Sequence, residues 1–386
     1  MKILFVQDSL GTGGAERSNA CIWYFLREKK VSVKIVVLEH RKVGIEREII
    51  EAGFDVQFLR AGKIFKQVRE LAKIIEHEKP DIVHSVLFKA AIRTRLAKLI
   101  IPFFHIESLV NCTYDEVRFN DPKVNRHALW MYKHLDKYTQ KKGTDQFIAI
   151  TEEVRQHYIK NLNIPLEKIS VIYRGRDNNP YINKWEAVKK EVRKEFDLRD
   201  RELIFIHVGR QEFQKGHLVI LKALKEVEKS LVSPNITILF CGREGNASAS
   251  IQEFINNNPL KTNIQWLGHR PDIPRLLVGA DAFLFPSLYE GLGGALIEAQ
   301  AAGLPVICSD LKVFEEVVEK GVNALTFETG NEKAMAGAMM NLTADEHLRQ
   351  EMGKASLENF KRKFQMEDIN QQMLNCYYSF YTKQHS

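Results

Sequence analysis

The sequence predicts an α/β protein built from two doubly wound, Rossmann-like domains that face one another with a cleft between them. Short β-branched or apolar runs alternate with longer helical patterns, which is typical of βαβ units and parallel sheets. This alternation starts afresh in the second half of the chain. A chain of 386 residues also exceeds the usual size of one hydrophobic core, so two domains account for both length and pattern.

The predicted strands form two sets of short apolar runs separated by helical patterns. The first set spans 3–7, 33–38, 56–59, 82–85, 103–107, 146–151 and 169–173. The second set spans 203–208, 236–241, 264–267, 282–285, 306–309 and 324–327. Because a crossover helix joins parallel neighbours, each set favours one parallel sheet covered by helices.

Turn-forming residues at 174–181 separate the two sets and suit a linker. The predicted domains are therefore residues 1–173 and residues 174–365. The tail, at about 366–386, has a helical pattern rich in polar and aromatic residues. We expect this tail to pack back on the N-terminal domain instead of building a third one.

Composition favours a folded intracellular protein. The chain is 45% hydrophobic and 27% charged, close to the averages for globular domains. No secretory signal is expected, since residues 1–6 lead at once into Asp8 and a glycine loop. Apolar runs such as 99–106 are far shorter than the roughly 20 residues that cross a bilayer. The expected location is the cytoplasm, including the cytoplasmic face of a membrane.

The five cysteines are scattered, without the pair spacings of metal or redox sites, so they predict reduced, mostly buried thiols and no cysteine-held metal or redox cofactor. Charge is uneven along the chain. Residues 1–180 carry 31 Lys and Arg against 22 Asp and Glu, whereas residues 181–386 carry 25 against 27. This asymmetry suggests an anionic partner for the N-terminal half: a membrane surface, a phosphorylated acceptor or a nucleic acid.

The segment 60–73 is the clearest basic stretch, and its helical spacing separates the basic residues from an apolar stripe. An ordinary surface helix packed on a sheet is the first interpretation. Peripheral contact with an anionic membrane is the second. No nucleic acid is expected, since the basic segments lack exposed aromatic platforms and a DNA-reading motif.

Glycine loops follow predicted strands in both halves of the chain. In the first half, strand 3–7 leads into a loop with Gly13 and Gly14 before a helical pattern at 19–27. Glycines at such a turn let the backbone approach an anion at the helix N-terminus. The loop is not a GxGxxG motif, however, and a tight turn without a ligand is an equal alternative.

In the second half, the strand at 203–208 leads into a loop with Arg210 and Lys215, which together suit a diphosphate. Gly242 ends the next strand on the same rim, where ligands of open α/β sheets bind. His269 follows a third strand, where backbone contacts to a base or an ordinary turn are both open.

Glu290 and Glu298 lie eight residues apart around a run of small residues after the strand at 282–285. A helix is expected from about Leu292, which would put the two carboxylates about 12 Å apart along the chain direction. At that separation they could accept hydrogen bonds from hydroxyls at the two ends of an extended diphosphate ligand. Gly291 and Gly293 would let the middle of that ligand lie against the backbone.

At these residues the sequence resembles the retaining glycosyltransferases of family 4, over almost the whole chain. The resemblance lies in the order and spacing of short stretches. These stretches are 13–17 (GGAER), 80–84 (PDIVH), 208–210 (VGR), 215–216 (KG), 267–269 (LGH), 279–281 (GAD), 285–287 (FPS), the Glu-x7-Glu motif at 290–298, and 302–305 (AGLP).

The resemblance implies the GT-B architecture, with the acceptor bound by residues 1–173 and the nucleotide-sugar by residues 174–365. It implies that Glu290 binds hydroxyls of the donor sugar near the reacting centre and that Glu298 binds the ribose. Arg210 and Lys215 would neutralise the leaving diphosphate without a metal ion, and anomeric configuration would be retained. The remaining expected donor contacts are Gly13, Gly14, Gly242, His269, Gly291, Leu292 and Gly293.

The chain departs from the family pattern in two places. Many relatives have a histidine after the strand expected at 103–107, where it contacts the donor sugar. Here His105 falls within that strand, and Asn111, nearer its carboxyl end, is the better candidate for a catalytic contact. At the linker, Arg174 and Arg176 replace two residues of an Asn-Gly-Val-Asp pattern and could reach a phosphate or brace the hinge.

The leading hypothesis is a hexosyl- or N-acetylhexosaminyltransferase that uses a nucleotide-sugar, expected to be a UDP-sugar. The acceptor would be a saccharide or lipid-linked saccharide in glycan or cell-envelope polysaccharide synthesis. A GT-B sugar-nucleotide epimerase is the first alternative. An NAD-type oxidoreductase ranks lower, because no GxGxxG turn with an acidic residue about 20 positions on is present. A catalytically inactive binding protein is disfavoured, because it would need a broken donor site. The chain instead keeps Arg210, Lys215, Glu290 and Glu298 together.

Overall fold

The computed structural model describes residues 1–11, 13–199, 202–230 and 235–385. The strands are β1 (Lys2–Gln7), β2 (Ser32–Val37), β3 (Asp55–Phe58), β4 (Ile82–Val86), β5 (His105–Leu109), β6 (Gln146–Ala149), β7 (Ile169–Val171), β8 (Leu203–Val208), β9 (Ile236–Cys241), β10 (Asn263–Gly268), β11 (Ala282–Phe285), β12 (Val306–Ser309) and β13 (Ala324–Phe327).

The helices lie between these strands, as the alternating pattern predicts. They are α1 (Gly14–Glu28), α2 (Glu46–Glu51), α3 (Ile64–Glu78), α4 (Phe88–Lys98), α5 (Arg126–Gly143), α6 (Glu152–Leu162), α7 (Trp185–Glu195), α8 (His217–Ser230), α9 (Ser248–Asn257), α10 (Ile273–Gly279), α11 (Gly294–Ala301), α12 (Lys312–Glu315), α13 (Glu332–Ala344), α14 (Glu346–Lys363) and α15 (Met366–His385).

The strands form two separate sheets with doubly wound order. The first sheet runs β3-β2-β1-β4-β5-β6-β7 and the second runs β10-β9-β8-β11-β12-β13. Every strand pair in both sheets is parallel. The predicted α/β class with two Rossmann-like, parallel-sheet domains is therefore confirmed.

All the predicted strands are present, and β5 is the one whose position differs most. The prediction placed it at 103–107, but its ladder with β4 begins at His105 and its last strand residue is Leu109. The predicted strand began too early because residues 103 and 104 are apolar. Phe104 packs instead against Phe380 of α15, with ring centroids 5.8 Å apart.

The chain divides into two compact units. The first contains Met1–Asp115, Arg126–Gly175 and helix α15, and the second contains Glu116–Asn125 and Arg176–Gln365. The expected N-terminal boundary of 1–173 thus needs correction for the segment Glu116–Asn125, which folds with the second unit.

Helix α15 contributes to the core of the first unit. Its buried Tyr377 lies edge-on to Phe5 of β1, with ring centroids 6.4 Å apart. The Tyr377 hydroxyl is 2.6 Å from Nδ1 of His84 in β4. Burial lowers the pKa of His84 well below its usual value, so this histidine is a neutral core residue at neutral pH.

Helix α3 contains most of the basic segment 60–73, and it packs as an ordinary surface helix. Its apolar residues Val68, Leu71 and Ile75 are buried in a core cluster with β1 and β4. Phe65 is the large apolar side chain of α3 that remains exposed. Within the described ranges, no helix is at once long and apolar enough to cross a bilayer.

Candidate active site

The carboxyl ends of three neighbouring strands in the second unit are joined by glycines. The Gly209 N–H donates to the Cys241 carbonyl at 2.8 Å, and the Gly242 N–H donates to the Gly268 carbonyl at 2.7 Å. A Cβ atom on Gly242 would lie 1.9 Å from the Gly209 carbonyl oxygen. No larger residue fits at position 242, so this rim is closed by backbone packed against backbone.

The loop after β8 brings Lys215 to Glu290, although 75 residues separate them in sequence. The Lys215 Nζ donates a hydrogen bond to the Glu290 carboxylate, and the Glu290 side chain is nearly buried. Gly216 holds this approach: its φ is +67°, and a Cβ there would lie 2.0 Å from the Pro286 carbonyl oxygen. A cation and a carboxylate thus meet at one point of the rim.

Neighbouring hydrogen bonds fix the two loops that carry this ion pair. The Ser287 hydroxyl donates to the Glu290 carboxylate at 3.0 Å. The Leu288 N–H donates to the Gln214 carbonyl at 2.8 Å, and Gln214 Nε2 donates to the Tyr289 carbonyl at 2.8 Å. These contacts restrict the rotamers and loop positions that set the relative placement of Lys215 and Glu290.

Two buried histidines beneath this loop carry no competing charge at neutral pH. Burial lowers the pKa of His207 to about 4 and that of His217 to about 2, and the Lys215 ammonium adds to both shifts. Lys215 is therefore the charged member of the group formed by Lys215, His207 and His217.

Helix α11 begins later than the sequence predicted, at Gly294 instead of about Leu292. Gly293 is its N-cap residue, with φ of +86°, and a Cβ there would lie 3.0 Å from the Phe285 ring. Only part of the span from Glu290 to Glu298 is therefore helical, so the 12 Å separation expected for a continuous helix does not apply. The first-turn N–H groups of α11 lie between the two glutamates in sequence.

Arg176, one of the two linker arginines, contacts Glu298. Its Nε donates to the Glu298 carboxylate at 2.8 Å, and both residues belong to the second unit. A Cβ on Gly294 would lie 1.9 Å from Arg176 Nη2, so the guanidinium lies directly against the first turn of α11. A departure from the family pattern thus lies beside the candidate ribose-binding residue.

Two predicted donor contacts, Arg210 and His269, are more exposed to solvent than Lys215. The Arg210 side chain is 65% exposed, and it forms an ion pair with Glu212 at an N–O distance of 3.4 Å. His269 is exposed after β10. By contrast, Gly291 and Leu292 are buried in the loop before α11.

The segment Glu116–Asn125 reaches the same loops, which the sequence did not predict. The Asp121 carboxylate accepts hydrogen bonds from the Tyr289 hydroxyl at 2.7 Å and from Asn246 Nδ2 at 3.0 Å. Asn246 in turn accepts from the Phe213 N–H at 2.7 Å. Asp121 thereby links the Glu290 loop to the Lys215 loop. In the sequence, Asn120-Asp121-Pro122 shows only turn chemistry.

In the first unit, the predicted glycine loop lies at the N-terminus of α1. Gly13 is the N-cap residue and Gly14 is the first helical residue. The carboxylate of Glu16 folds back on this turn, so a Cβ on Gly13 would lie 2.4 Å from Glu16 Oε2. The Glu16 carboxylate thus lies beside the first turn of α1, where the helix dipole favours negative charge.

The remaining candidates of the first unit separate into an exposed and a buried group. Asn111 is exposed, two residues beyond the end of β5. His105 is buried, with Nδ1 2.5 Å from the Gly143 carbonyl and Nε2 2.7 Å from the Ser85 hydroxyl. Burial lowers the pKa of His105 to about 3. Arg174 is buried too and donates to the Ser108 hydroxyl at 3.1 Å, so it braces the first unit.

Metal-ligating side chains do not gather in the part of the chain that the structure describes. Within it, no group of three or more His, Cys, Asp or Glu is arranged to hold a metal ion. The positive charges near the Glu290 loop come from side chains and a helix N-terminus.

Two family profiles cover most of the chain. The profile described as glycosyltransferase family 4 matches residues 12–179, and the one described as glycosyl transferases group 1 matches residues 188–358. Among curated proteins, the chain is 29% identical to a UDP-Gal:alpha-D-GlcNAc-diphosphoundecaprenol alpha-1,3-galactosyltransferase of Escherichia coli, over 74% of this chain and 72% of that protein.

A second relative matches over a longer span. The chain is 25% identical to an N,N'-diacetylbacillosaminyl-diphospho-undecaprenol alpha-1,3-N-acetylgalactosaminyltransferase of Campylobacter jejuni, over 90% of this chain and 93% of that protein. Among solved structures, Anabaena HepE in complex with UDP superposes with a TM-score of 0.83, at 19% identity, over 98% of this chain and 100% of that one. This likeness shows the GT-B fold.

Proposed function

The chain belongs to the glycosyltransferases of family 4, and from that premise we propose that it transfers a hexosyl or N-acetylhexosaminyl group from a UDP-sugar to a lipid-linked saccharide. The ion pair between Lys215 and Glu290 is the observation that supports this most directly. A cation for the leaving diphosphate and a carboxylate for the sugar hydroxyls must lie side by side, since the bond that breaks joins those two groups.

The charges around α11 support a diphosphate in this position. The N-terminal turn of α11 offers N–H groups and the positive end of a helix dipole. The cations of Lys215 and Arg176 lie beside Glu290 and Glu298, the two residues that flank this turn in sequence. Arg210, mostly exposed, is free to turn towards an arriving phosphate. Glu298 then accepts hydrogen bonds from the ribose hydroxyls.

Nucleotide selectivity tests the donor assignment without knowledge of the acceptor. UDP is expected to raise the melting temperature of the purified protein, whereas GDP, ADP and NAD are expected to have little effect, because a ligand that binds only the native state stabilises it by mass action. Stabilisation by GDP alone would redirect the donor to a GDP-sugar. A response to NAD alone would overturn the proposed function.

Two variants locate UDP within the site in the same experiment. Glu298→Ala is expected to weaken UDP binding about 10- to 100-fold, through lost hydrogen bonds to a charged acceptor. Arg176→Ala is expected to weaken it too, because it removes a cation and leaves the Glu298 carboxylate beside an anionic ligand. Glu186→Ala, at an exposed position of the same unit, is the control. Unchanged affinity in both site variants would refute this placement.

The acceptor assignment rests on the relatives, two of which are named for diphosphoundecaprenol-linked acceptors. Product formation is therefore expected with a polyprenyl-diphosphate-linked saccharide, with retained anomeric configuration in the NMR spectrum of the product.

We propose that no metal ion takes part, so EDTA should leave turnover unchanged. An epimerase would instead convert the UDP-sugar without acceptor. Asn111, Gly13 and Gly14 remain predicted contacts.

A further inference from the structure

The outward face of helix α5 in the first unit carries an unusual group of exposed apolar side chains. Trp130, Met131 and Tyr138 are 63%, 64% and 82% exposed, and Leu135 is 43% exposed. Single exposed apolar residues are common on protein surfaces, but five lie within the nine residues 130–138, since Tyr132 is also 48% exposed. The lipid-facing patch consists of Trp130, Met131, Leu135 and Tyr138.

The opposite side of α5 already makes its contacts with the first unit. Asp136 is buried and accepts a hydrogen bond from Arg95, and Gln140 Nε2 donates to the Leu162 carbonyl at 3.4 Å. At about 100° per helical residue, all four members of the lipid-facing patch lie at least 100° around the helix from Asp136. The patch is therefore not used to hold α5 on the domain.

Basic residues surround the patch on the same helix. Lys141 and Lys142 are exposed in its last turn, and Lys137 is partly exposed. Asp136 is the acidic residue of α5, and its ion pair with Arg95 is buried. The exposed surface of this helix is thus cationic around an apolar centre.

We propose that the lipid-facing patch and its lysines dock the protein on an anionic membrane surface. Tryptophan and tyrosine favour the interface between headgroups and acyl chains, and neighbouring lysines gain attraction to anionic lipids. A helix lying in the interface plane with these two features fits that partner. The inference rests on the proposed lipid-linked acceptor for its purpose, since docking would bring the enzyme to the surface where such an acceptor lies.

Other observations favour lipid over other partners. Lysine is depleted at the centres of protein interfaces, and Met131 and Leu135 offer no flat ring for stacking a nucleic-acid base. Nucleic acid was disfavoured as a partner on the premise that the basic segments lack exposed aromatic rings. That premise was wrong, because α5 carries exposed aromatic rings beside lysines. Helix α3, for which membrane contact was the second interpretation of the sequence, has its apolar stripe buried in the core.

Co-sedimentation of the full-length protein with vesicles tests the proposal. Binding is expected to vesicles that contain phosphatidylglycerol and to be much weaker with phosphatidylcholine alone. The double variant Trp130→Ser with Tyr138→Ser is expected to lower the partition coefficient about tenfold or more. Lys141→Gln with Lys142→Gln should lower it by about tenfold on anionic vesicles and remove most of the salt dependence.

A matched control is Trp185→Ser, because Trp185 is 51% exposed on α7 in the second unit. This variant should bind vesicles as the unchanged protein does. Equal binding by the α5 variants, or no binding by the unchanged protein, would overturn the proposal. Two other results would overturn the proposal. One is stronger retention of the protein by a single-stranded oligonucleotide than by anionic vesicles. The other is a dimer of the unchanged protein that the aromatic double variant no longer forms.

The two proposals fail in different ways. All α5 variants should keep the melting temperature and the UDP-dependent stabilisation of the unchanged protein, which also shows that they are folded. If UDP does not stabilise any of them, the proposed donor fails while the vesicle result stands. If UDP stabilises all of them but vesicles do not distinguish them, the lipid-facing patch fails alone.

Discussion

Replacing Lys215 with Ala is expected to lower kcat by about 10²- to 10³-fold while raising the Kd for the donor much less. Negative charge on the diphosphate grows as the bond to the sugar breaks, so the Lys215 ammonium stabilises the transition state more than the bound donor. The same change also leaves the nearly buried Glu290 carboxylate without its cation. Steady-state kinetics, with Kd from a separate UDP-sugar titration, measure both effects.

Lys222→Ala provides a control, because Lys222 is exposed on α8, the helix that begins two residues after Lys215. This variant should retain unchanged kcat. If Lys215→Ala weakened donor binding and turnover by the same factor, Lys215 would bind the ground state and the transition state equally, and its proposed role in leaving-group departure would be lost.

Replacing Glu290 with Gln is expected to lower kcat by about 10- to 100-fold, since the amide keeps the shape of the side chain but removes a charged hydrogen-bond acceptor. Donor-sugar hydroxyls lose their strongest proposed partner. Lys215 also loses the carboxylate that positions it. The effect should appear with the complete donor and be small for UDP alone, which has no sugar for Glu290 to hold.

Ser287→Ala is the matched variant, because it removes the hydroxyl that donates to Glu290 at 3.0 Å without changing the charge. A loss much smaller than that of Glu290→Gln is expected. The double variant Lys215→Ala with Glu290→Gln should lose less than the two single losses combined, as contacting residues usually do. Strict additivity would contradict the view that the ion pair acts as one unit.

Periodicity and turn chemistry determined the two-sheet α/β architecture from the sequence. Strands such as β8 and β9 are mostly apolar runs because a parallel sheet buries both faces, and this pattern is readable without coordinates. Gly242 was also readable from the sequence, because it ends a strand at a point where backbone approaches backbone.

The partners of the charged side chains were decided by tertiary structure alone. The sequence placed Lys215 and Glu290 on loops of the same domain but carries no signal of their ion pair, because a long-range contact depends on how parallel strands are ordered in the sheet. Arg176 differs from the family pattern, and its contact with Glu298 is visible only in the tertiary structure.

The exposed or buried state of a helix face was likewise decided by packing. Helices α3 and α5 both combine apolar and basic residues, yet α3 buries its apolar stripe against the sheet while α5 turns Trp130 and Tyr138 outward. The difference arises because α5 packs through the buried polar residues Asp136 and Gln140. Hydrophobic periodicity assigns apolar residues to the inward side of a helix, and here buried ion pairing reversed that assignment.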